Sequence, residues 1–177
     1  MLRILFFLLI LQIKAFALIE VDITRGNLNP LPIAVSPLSI DETSRKNFEK
    51  ILKKKDIGVN ISTVVEKNLK TSGLFNPLDK EAFLQAPDIA NLKPRFEDWN
   101  LIKAQALITG KVSYIDEKLR VEFRLWDVLA GKEMMALAFT TVPSNWRRVG
   151  HIITDKVYER LTGEKGYFDT RIIYVAE

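Results

Sequence analysis

The 177-residue sequence contains no cysteine and a single histidine, His151. Without cysteine the chain has no disulfide, no thiol nucleophile, no thiolate metal site and no lipoprotein anchor. One histidine leaves no second imidazole to share a metal ion with it. The stretch GEKGYF is too short for a phosphate-binding loop and has no Ser or Thr after its lysine. The residues therefore carry no signature of an enzyme, and we expect no cofactor and no metal.

The chain also lacks a strong charge of either sign. The net charge is +4, but residues 1–17 contain two basic residues, Arg3 and Lys14, and no acidic residue. The rest of the chain has 24 basic and 22 acidic residues, which is a balance of +2. This balance argues against nucleic acid or an anionic membrane surface as the partner.

Residues 1–17 have the pattern of a signal peptide. A basic Arg3 precedes an apolar run over residues 4–11, and the segment closes on Ala15-Phe16-Ala17, the small-x-small pattern that signal peptidase recognises. The run is too short to span a bilayer comfortably. An uncleaved anchor or a buried helix remains the alternative, because Lys14 lies close to the cut. We expect cleavage after Ala17, outside the cytoplasm, and no insertion of the mature chain into a membrane.

The segment that follows alternates between apolar and polar residues, as a strand does. A loop rich in Gly, Asn and Pro, RGNLNPLP, comes after it and could act as a tether. Such a strand could add itself to the sheet edge of a partner, or it could be an edge strand of this chain's own domain. The candidate partner-binding residues are Leu18, Ile19, Glu20, Val21, Asp22, Ile23 and Thr24.

The remaining pattern predicts a layered α/β domain over residues 33–163. Strands are expected at 33–35 and 74–75, and three more at 105–115, 119–128 and 132–142 form an antiparallel meander. Helices are expected over 41–55 and 61–71, and a third is capped by Ser144 and runs to Leu161, with Gly163 as its stop. Residues 76–100 have an irregular pattern, with a helical turn expected at 97–101. Residues 164–170 read as a linker, so that truncation after Gly166 should leave the melting temperature nearly unchanged.

His151 has two interpretations. Asp155 lies four residues further along the same helix, which would allow a His–Asp pair for general base chemistry. The alternative is a packing histidine whose ring is held between the helix and the sheet. The three tryptophans, at 99, 126 and 146, are not regularly spaced, and they fit core or interface packing better than a stacking surface for nucleic acid.

Several stretches together resemble one known family. IAVSPL, KTSGLF, ALITGKV and RLWDVLAGKE occur in order, followed by RRVGHIITDKVYERLTGEKGYFDTRIIYVAE. These segments are similar to the TolB family of the Gram-negative Tol–Pal envelope system, although Gly150 stands where the family usually has alanine. The resemblance implies a mixed five-stranded sheet flanked by helices, like that of anticodon-binding domains, followed by a β-propeller. Residues 164–177 would then be a linker and the first strand of a truncated propeller.

The resemblance also implies a function. Members of this family are periplasmic adaptors that bind the inner-membrane protein TolA through the start of the mature chain, here residues 18–24. Residues 18–32 would comprise this partner-binding strand and its tether. They bind the outer-membrane lipoprotein Pal through the propeller. They maintain the outer membrane and its invagination during cell division. The alternative from the residues alone is an exported α/β module that binds a ligand around His151.

Overall fold

A computed structural model describes residues 29–54 and 56–170 of the chain. The predicted signal peptide, the candidate partner-binding residues 18–24 and the predicted propeller strand at 171–175 lie outside the described residues. The described part is a mixed sheet with helices on both faces, as the family resemblance implies, although the sheet has six strands and not five.

The sheet is parallel at one end and antiparallel at the other. Its main path runs β3-β1-β4-β5-β6, with β1 parallel to both β3 and β4. The segment from β4 to β6 is the predicted antiparallel meander. A two-residue strand, β2, also pairs in parallel with β4, and the sequence pattern did not indicate it. The strands are β1 (Leu31–Val35), β2 (Ser39–Ile40), β3 (Phe75–Pro77), β4 (Ala106–Ile115), β5 (Lys118–Asp127) and β6 (Lys132–Thr141).

The central strand of the meander, β5, has one buried face and one partly exposed face. Leu119, Val121, Phe123 and Leu125 are buried, whereas the residues between them are partly exposed. The two-residue turn before this strand places Asp116 and Glu117 at φ values of 49° and 59°. Both central residues of a type I′ hairpin turn have positive φ, so this turn matches the twist of the strands that it joins.

Five helices occur within the described residues: α1 (Glu42–Leu52), α2 (Ile57–Thr71), α3 (Pro87–Leu92), α4 (Phe96–Leu101) and α5 (Trp146–Thr162). Helix α1 ends three residues earlier than predicted, because Lys53 adopts a left-handed conformation with φ of 55°. Helix α2 begins four residues earlier than predicted, since the Asp56 carboxylate accepts a hydrogen bond from Val59 N at 3.1 Å. Helix α4 confirms the predicted turn, and α3 was missed.

The predicted cap of the last helix is wrong. Pro143–Asn145 forms a 3₁₀ turn, and α5 begins after it at Trp146. Ser144 lies inside that turn, so it is not at the position from which a capping side chain reaches the first helical N–H groups. The other end is as predicted, because Gly163 has φ of 76° and its N–H donates to Glu159 O at 2.9 Å.

Two buried clusters lie on opposite faces of the sheet. The larger joins α1, α2 and α5 to one face, and the smaller surrounds Trp99 on the other. Helices α2 and α5 approach closely at Gly150, where an added Cβ would lie 2.8 Å from Val64 Cγ1. The absent side chain at Gly150 therefore sets the distance between these helices.

Candidate functional site

The predicted partner-binding residues, Leu18 to Thr24, lie outside the described residues, and their assignment stays a prediction. The structure does describe where the chain enters the domain. Strand β1 begins at Leu31, whose N–H donates to Leu74 O at 2.9 Å. This strand lies between β3 and β4, in the interior of the sheet. The described chain, from Asn29 onward, thus leads directly into an interior strand.

The two edges of the described sheet differ. Edge strand β3 has three residues and includes Pro77, which has no N–H to offer a further strand. The other edge, β6, has ten residues, and residues 134–141 include no charged side chain. A long edge of this kind offers backbone groups to another strand or surface. Edge strand β6 is therefore the better-suited interaction edge in the described part of the chain.

A groove of about 340 Å³ lies between β6 and α5. Its apolar lining includes Phe139, Val149 and Ile152, and polar side chains come from Asn145 and Arg148. The ring of Phe139 stacks on that of Phe123, with centroids 6.1 Å apart, so this wall is held by the core beneath it. We call this feature the β6–α5 groove.

Residues 164–170, which the sequence assigns to a linker, pack back against α5. The Asp155 carboxylate accepts two backbone hydrogen bonds, from Phe168 N at 2.7 Å and from Asp169 N at 3.0 Å. The Asp169 carboxylate in turn accepts three hydrogen bonds from the Arg148 guanidinium, at 3.0 to 3.1 Å, and this contact raises the pKa of Arg148. We call residues 164–170 the return segment.

Aromatic rings add to this contact. Tyr158 on α5 lies 5.6 Å from Tyr167 and 5.9 Å from Phe168 between ring centroids, in edge-on geometry. Burial raises the pKa of the Tyr158 phenol. Gly166 lies directly against Asp155, where an added Cβ would be 2.4 Å from the Asp155 Cα. The return segment, which ends at Thr170, is therefore packed against α5 and is not a free linker.

The first interpretation of His151, a pair with Asp155, is wrong, because each side chain binds another group. Asn68 Nδ2, on α2, lies 2.9 Å from His151 Nδ1 and donates at 3.1 Å to Thr154 Oγ1. With the amide donating, Nδ1 is the acceptor and the ring proton is on Nε2. The ring is held in place, as the second interpretation predicts, but it joins α5 to α2 and not to the sheet.

The tryptophans pack in or beside the core, which confirms the prediction. Trp99 is 1% exposed, and its Nε1 donates at 2.7 Å to Gln85 Oε1. Trp126 packs partly against the same cluster, and Trp146 packs against the larger one. The partly exposed face of the meander carries ion pairs between Arg120 and Glu122 and between Arg124 and Glu133. One pair lies within β5 and the other joins β5 to β6, so these charges form no single-sign patch.

Within residues 29–54 and 56–170, no helix has the length and apolar character needed to cross a membrane. Histidine and carboxylate side chains in those ranges form no group of three that could hold a metal ion.

Sequence reasoning missed Asn68 and the pair of Arg148 with Asp169. Asn68 lies 83 residues from His151, and no local pattern indicates a partner at that distance. Asp169 lies 21 residues from Arg148.

Comparisons with known proteins agree with one another. The family model described as the TolB amino-terminal domain matches residues 19–134. The chain is 83% identical over 178 residues to the Tol-Pal system protein TolB of Pelagibacter ubique, a match that covers 100% of this chain and 40% of that protein.

The fold agrees with a crystal structure of TolB from Acinetobacter baumannii, with a TM-score of 0.64 and 21% sequence identity. That match covers 85% of this chain and 33% of the other. The chain therefore spans well under half the length of these two relatives. Since the family model covers more than half of the chain and the Pelagibacter protein matches throughout, this chain belongs to the family of the TolB amino-terminal domain.

Proposed function

We propose that this chain is the N-terminal part of a non-catalytic periplasmic adaptor in the Tol–Pal system of a Gram-negative bacterium. The observation that supports this most is the 83% identity to a Tol-Pal system protein along the whole chain. The adaptor binds TolA through residues 18–24 and binds Pal through polypeptide beyond this chain. It maintains outer-membrane integrity and the invagination of that membrane at division.

The proposed mechanism is strand addition by the segment at 18–24. Ile19, Val21 and Ile23 would fill apolar pockets on TolA, and the backbone would complete its sheet edge. Glu20 and Asp22 would face a basic rim and speed the encounter at low salt. The described core begins at Leu31, so binding through the earlier residues uses none of the buried side chains.

The test is to delete residues 18–29 and titrate the C-terminal domain of TolA by calorimetry. We expect binding to be lost while the melting temperature changes little, because the deleted residues precede the described core. Val21→Asp should weaken binding by about tenfold or more, since it places a charge in an apolar pocket. Glu20→Gln, on the opposite side of the strand, is the matched control and should weaken it less. Undiminished affinity after the deletion would refute the proposal.

Export is a separate step of the proposal. Protein recovered from the periplasm should begin at Leu18 by mass spectrometry, since Ala15 and Ala17 suit signal peptidase. An intact Met1 in membrane fractions would contradict cleavage without bearing on the TolA contact.

A further inference from the structure

A group of cations lies where the end of α1 meets the start of α5. Lys54 Nζ lies 5.2 Å and Arg147 Cζ lies 4.9 Å from the centroid of the Trp146 ring. Both distances are within the range of a cation–π contact, so one indole holds two positive charges. Helix α1 also contacts the 3₁₀ turn Pro143–Asn145, which leads into Trp146. The fold therefore brings together two basic segments that are distant in the sequence.

Two further lysines extend this group. Lys50 lies in the last turn of α1, and Lys53 follows that helix in a left-handed conformation. Both side chains are exposed and, among the residues that the structure describes, neither makes an ion pair. Glu49 is the only carboxylate in the sequence from 49 to 54. We call the following residues the basic patch: Lys50, Lys53, Lys54, Trp146 and Arg147.

The near-neutral charge of the whole chain hides this local excess. The basic patch has four cations, and the one carboxylate of the adjoining helical turn is that of Glu49. Like charges repel one another, and the repulsion falls when an anion lies among them. The patch therefore favours an anionic partner, although the composition of the chain as a whole does not.

Apolar side chains beside the patch indicate which kind of anionic partner fits. Ile51, next to Lys50, is 47% exposed, and Val142, just before the turn that leads to Trp146, is 53% exposed. Trp146 itself is half-buried against the larger core cluster. Cations mixed with exposed apolar side chains and an indole are typical of surfaces that rest on the headgroup region of a bilayer. The charges alone would suit an acidic polypeptide equally well, and the apolar side chains favour lipid.

We propose that the basic patch adsorbs this domain to the surface of a membrane that contains anionic phospholipids. The cations contact the lipid phosphates, and Ile51 and Val142 lie at the boundary between headgroups and acyl chains. The contact is peripheral. It goes beyond the proposed function and rests on that function only for the compartment in which the chain meets the membrane.

Cosedimentation with lipid vesicles tests the proposal. The protein for the test begins at Leu18, because the apolar run over residues 4–11 would itself bind lipid. Vesicles of phosphatidylglycerol and phosphatidylcholine in equal parts should bind the protein, and vesicles of phosphatidylcholine alone should not. Each lysine near an anionic surface contributes a factor of about five to the partition coefficient. Lys50→Gln combined with Lys53→Gln should therefore weaken binding about 25-fold.

Lys93→Gln combined with Lys103→Gln is the matched control. It removes the same charge from two exposed lysines, and Lys103 has φ of 62°, close to the 55° of Lys53. These two lysines flank α4, which packs on the opposite face of the sheet from α1. The control should bind within about twofold of the parent, because charges far from the contact are screened. Both double variants should melt close to the parent, which separates lost binding from lost folding.

Two results would overturn the proposal. The first is equal binding by the two double variants, which would mean that net charge and not the patch is responsible. The second is a parent protein that stays in solution with the phosphatidylglycerol vesicles. If polyglutamate then binds the parent but not the Lys50→Gln, Lys53→Gln variant, the patch belongs to an acidic polypeptide instead.

Failure of this proposal is distinguishable from failure of the proposed function. Lys50→Gln with Lys53→Gln should leave the calorimetric titration with the C-terminal domain of TolA unchanged, because residues 18–24 are intact. Deletion of residues 18–29 should in turn leave binding to the phosphatidylglycerol vesicles within about twofold of the parent, since every residue of the patch remains.

Discussion

The packing of the return segment can be tested at one carboxylate. Asp155→Asn keeps the size of the side chain but removes its charge and replaces one acceptor oxygen by an NH₂ group. One of the amides of Phe168 and Asp169 then keeps an acceptor, and the other faces a donor. Hydrogen bonds to charged groups contribute about 1.5–3 kcal/mol each, and an unpaired donor adds a further cost when it is buried.

The expected loss is about 1–2 kcal/mol in the free energy of unfolding, at the lower end of that range because the carboxylate is only half-buried. The return segment can detach from α5 while the rest of the domain stays folded. The loss of stability caused by Asp155→Asn therefore cannot exceed the free energy that holds this segment in place. For a chain of this size the change corresponds to a fall in Tm of about 2–8 °C.

The assay combines thermal unfolding by circular dichroism with hydrogen exchange at Phe168 and Asp169. Glu159→Gln is the matched control, because Glu159 lies on the same helix and contacts the exposed Lys156. This control should change stability by less than about 0.5 kcal/mol. If Asp155→Asn melts like the control and both amides exchange at parent rates, the account of a docked segment is refuted.

Two further predictions concern the helices. Asn68→Ala should destabilise the domain by about 1–3 kcal/mol in urea unfolding, because His151 Nδ1 and Thr154 Oγ1 lose their shared donor; an unchanged midpoint would contradict this role. Asp41→Ala should cost about 1 kcal/mol near neutral pH, since Asp41 caps α1. The Ser44 backbone amide lowers the pKa of Asp41 below its ordinary value of 3.8. The stability that the Asp41 carboxylate contributes is therefore fully present above pH 3.8, and it is lost as the pH falls through the lower pKa of the folded state. The stability difference between parent and Asp41→Ala should therefore shrink over that acidic range, and a difference that persisted there would argue against the carboxylate as its source.

The contacts of the return segment also change one expectation drawn from the sequence. Truncation after Gly166 was expected to leave the melting temperature nearly unchanged. It would remove the amides bound to Asp155 and the ring of Phe168 beside Tyr158. We now expect such a truncation to lower the melting temperature.

Local patterns were enough to predict the meander and the ends of two helices. The alternation of Leu119, Val121 and Phe123 with charged residues is a property of adjacent positions, and it fixes which side of β5 is buried. Short turns then force β4, β5 and β6 to pair with their neighbours in the chain. Gly73 and Gly163 end their helices because glycine adopts positive φ without steric cost. The family resemblance, too, rested on sequence segments alone.

Tertiary structure decided how distant segments meet. The parallel pairing of β1 with β3 and β4 joins residues more than 40 positions apart, and no turn between them specifies it. His151 binds Asn68 instead of Asp155, although Asp155 is nearer in sequence, because α2 packs against α5 and offers an amide donor. Asp155 is then available to the return segment. Sequence periodicity determines which face of an element is buried, but the partner of a polar side chain depends on which elements the completed core brings together.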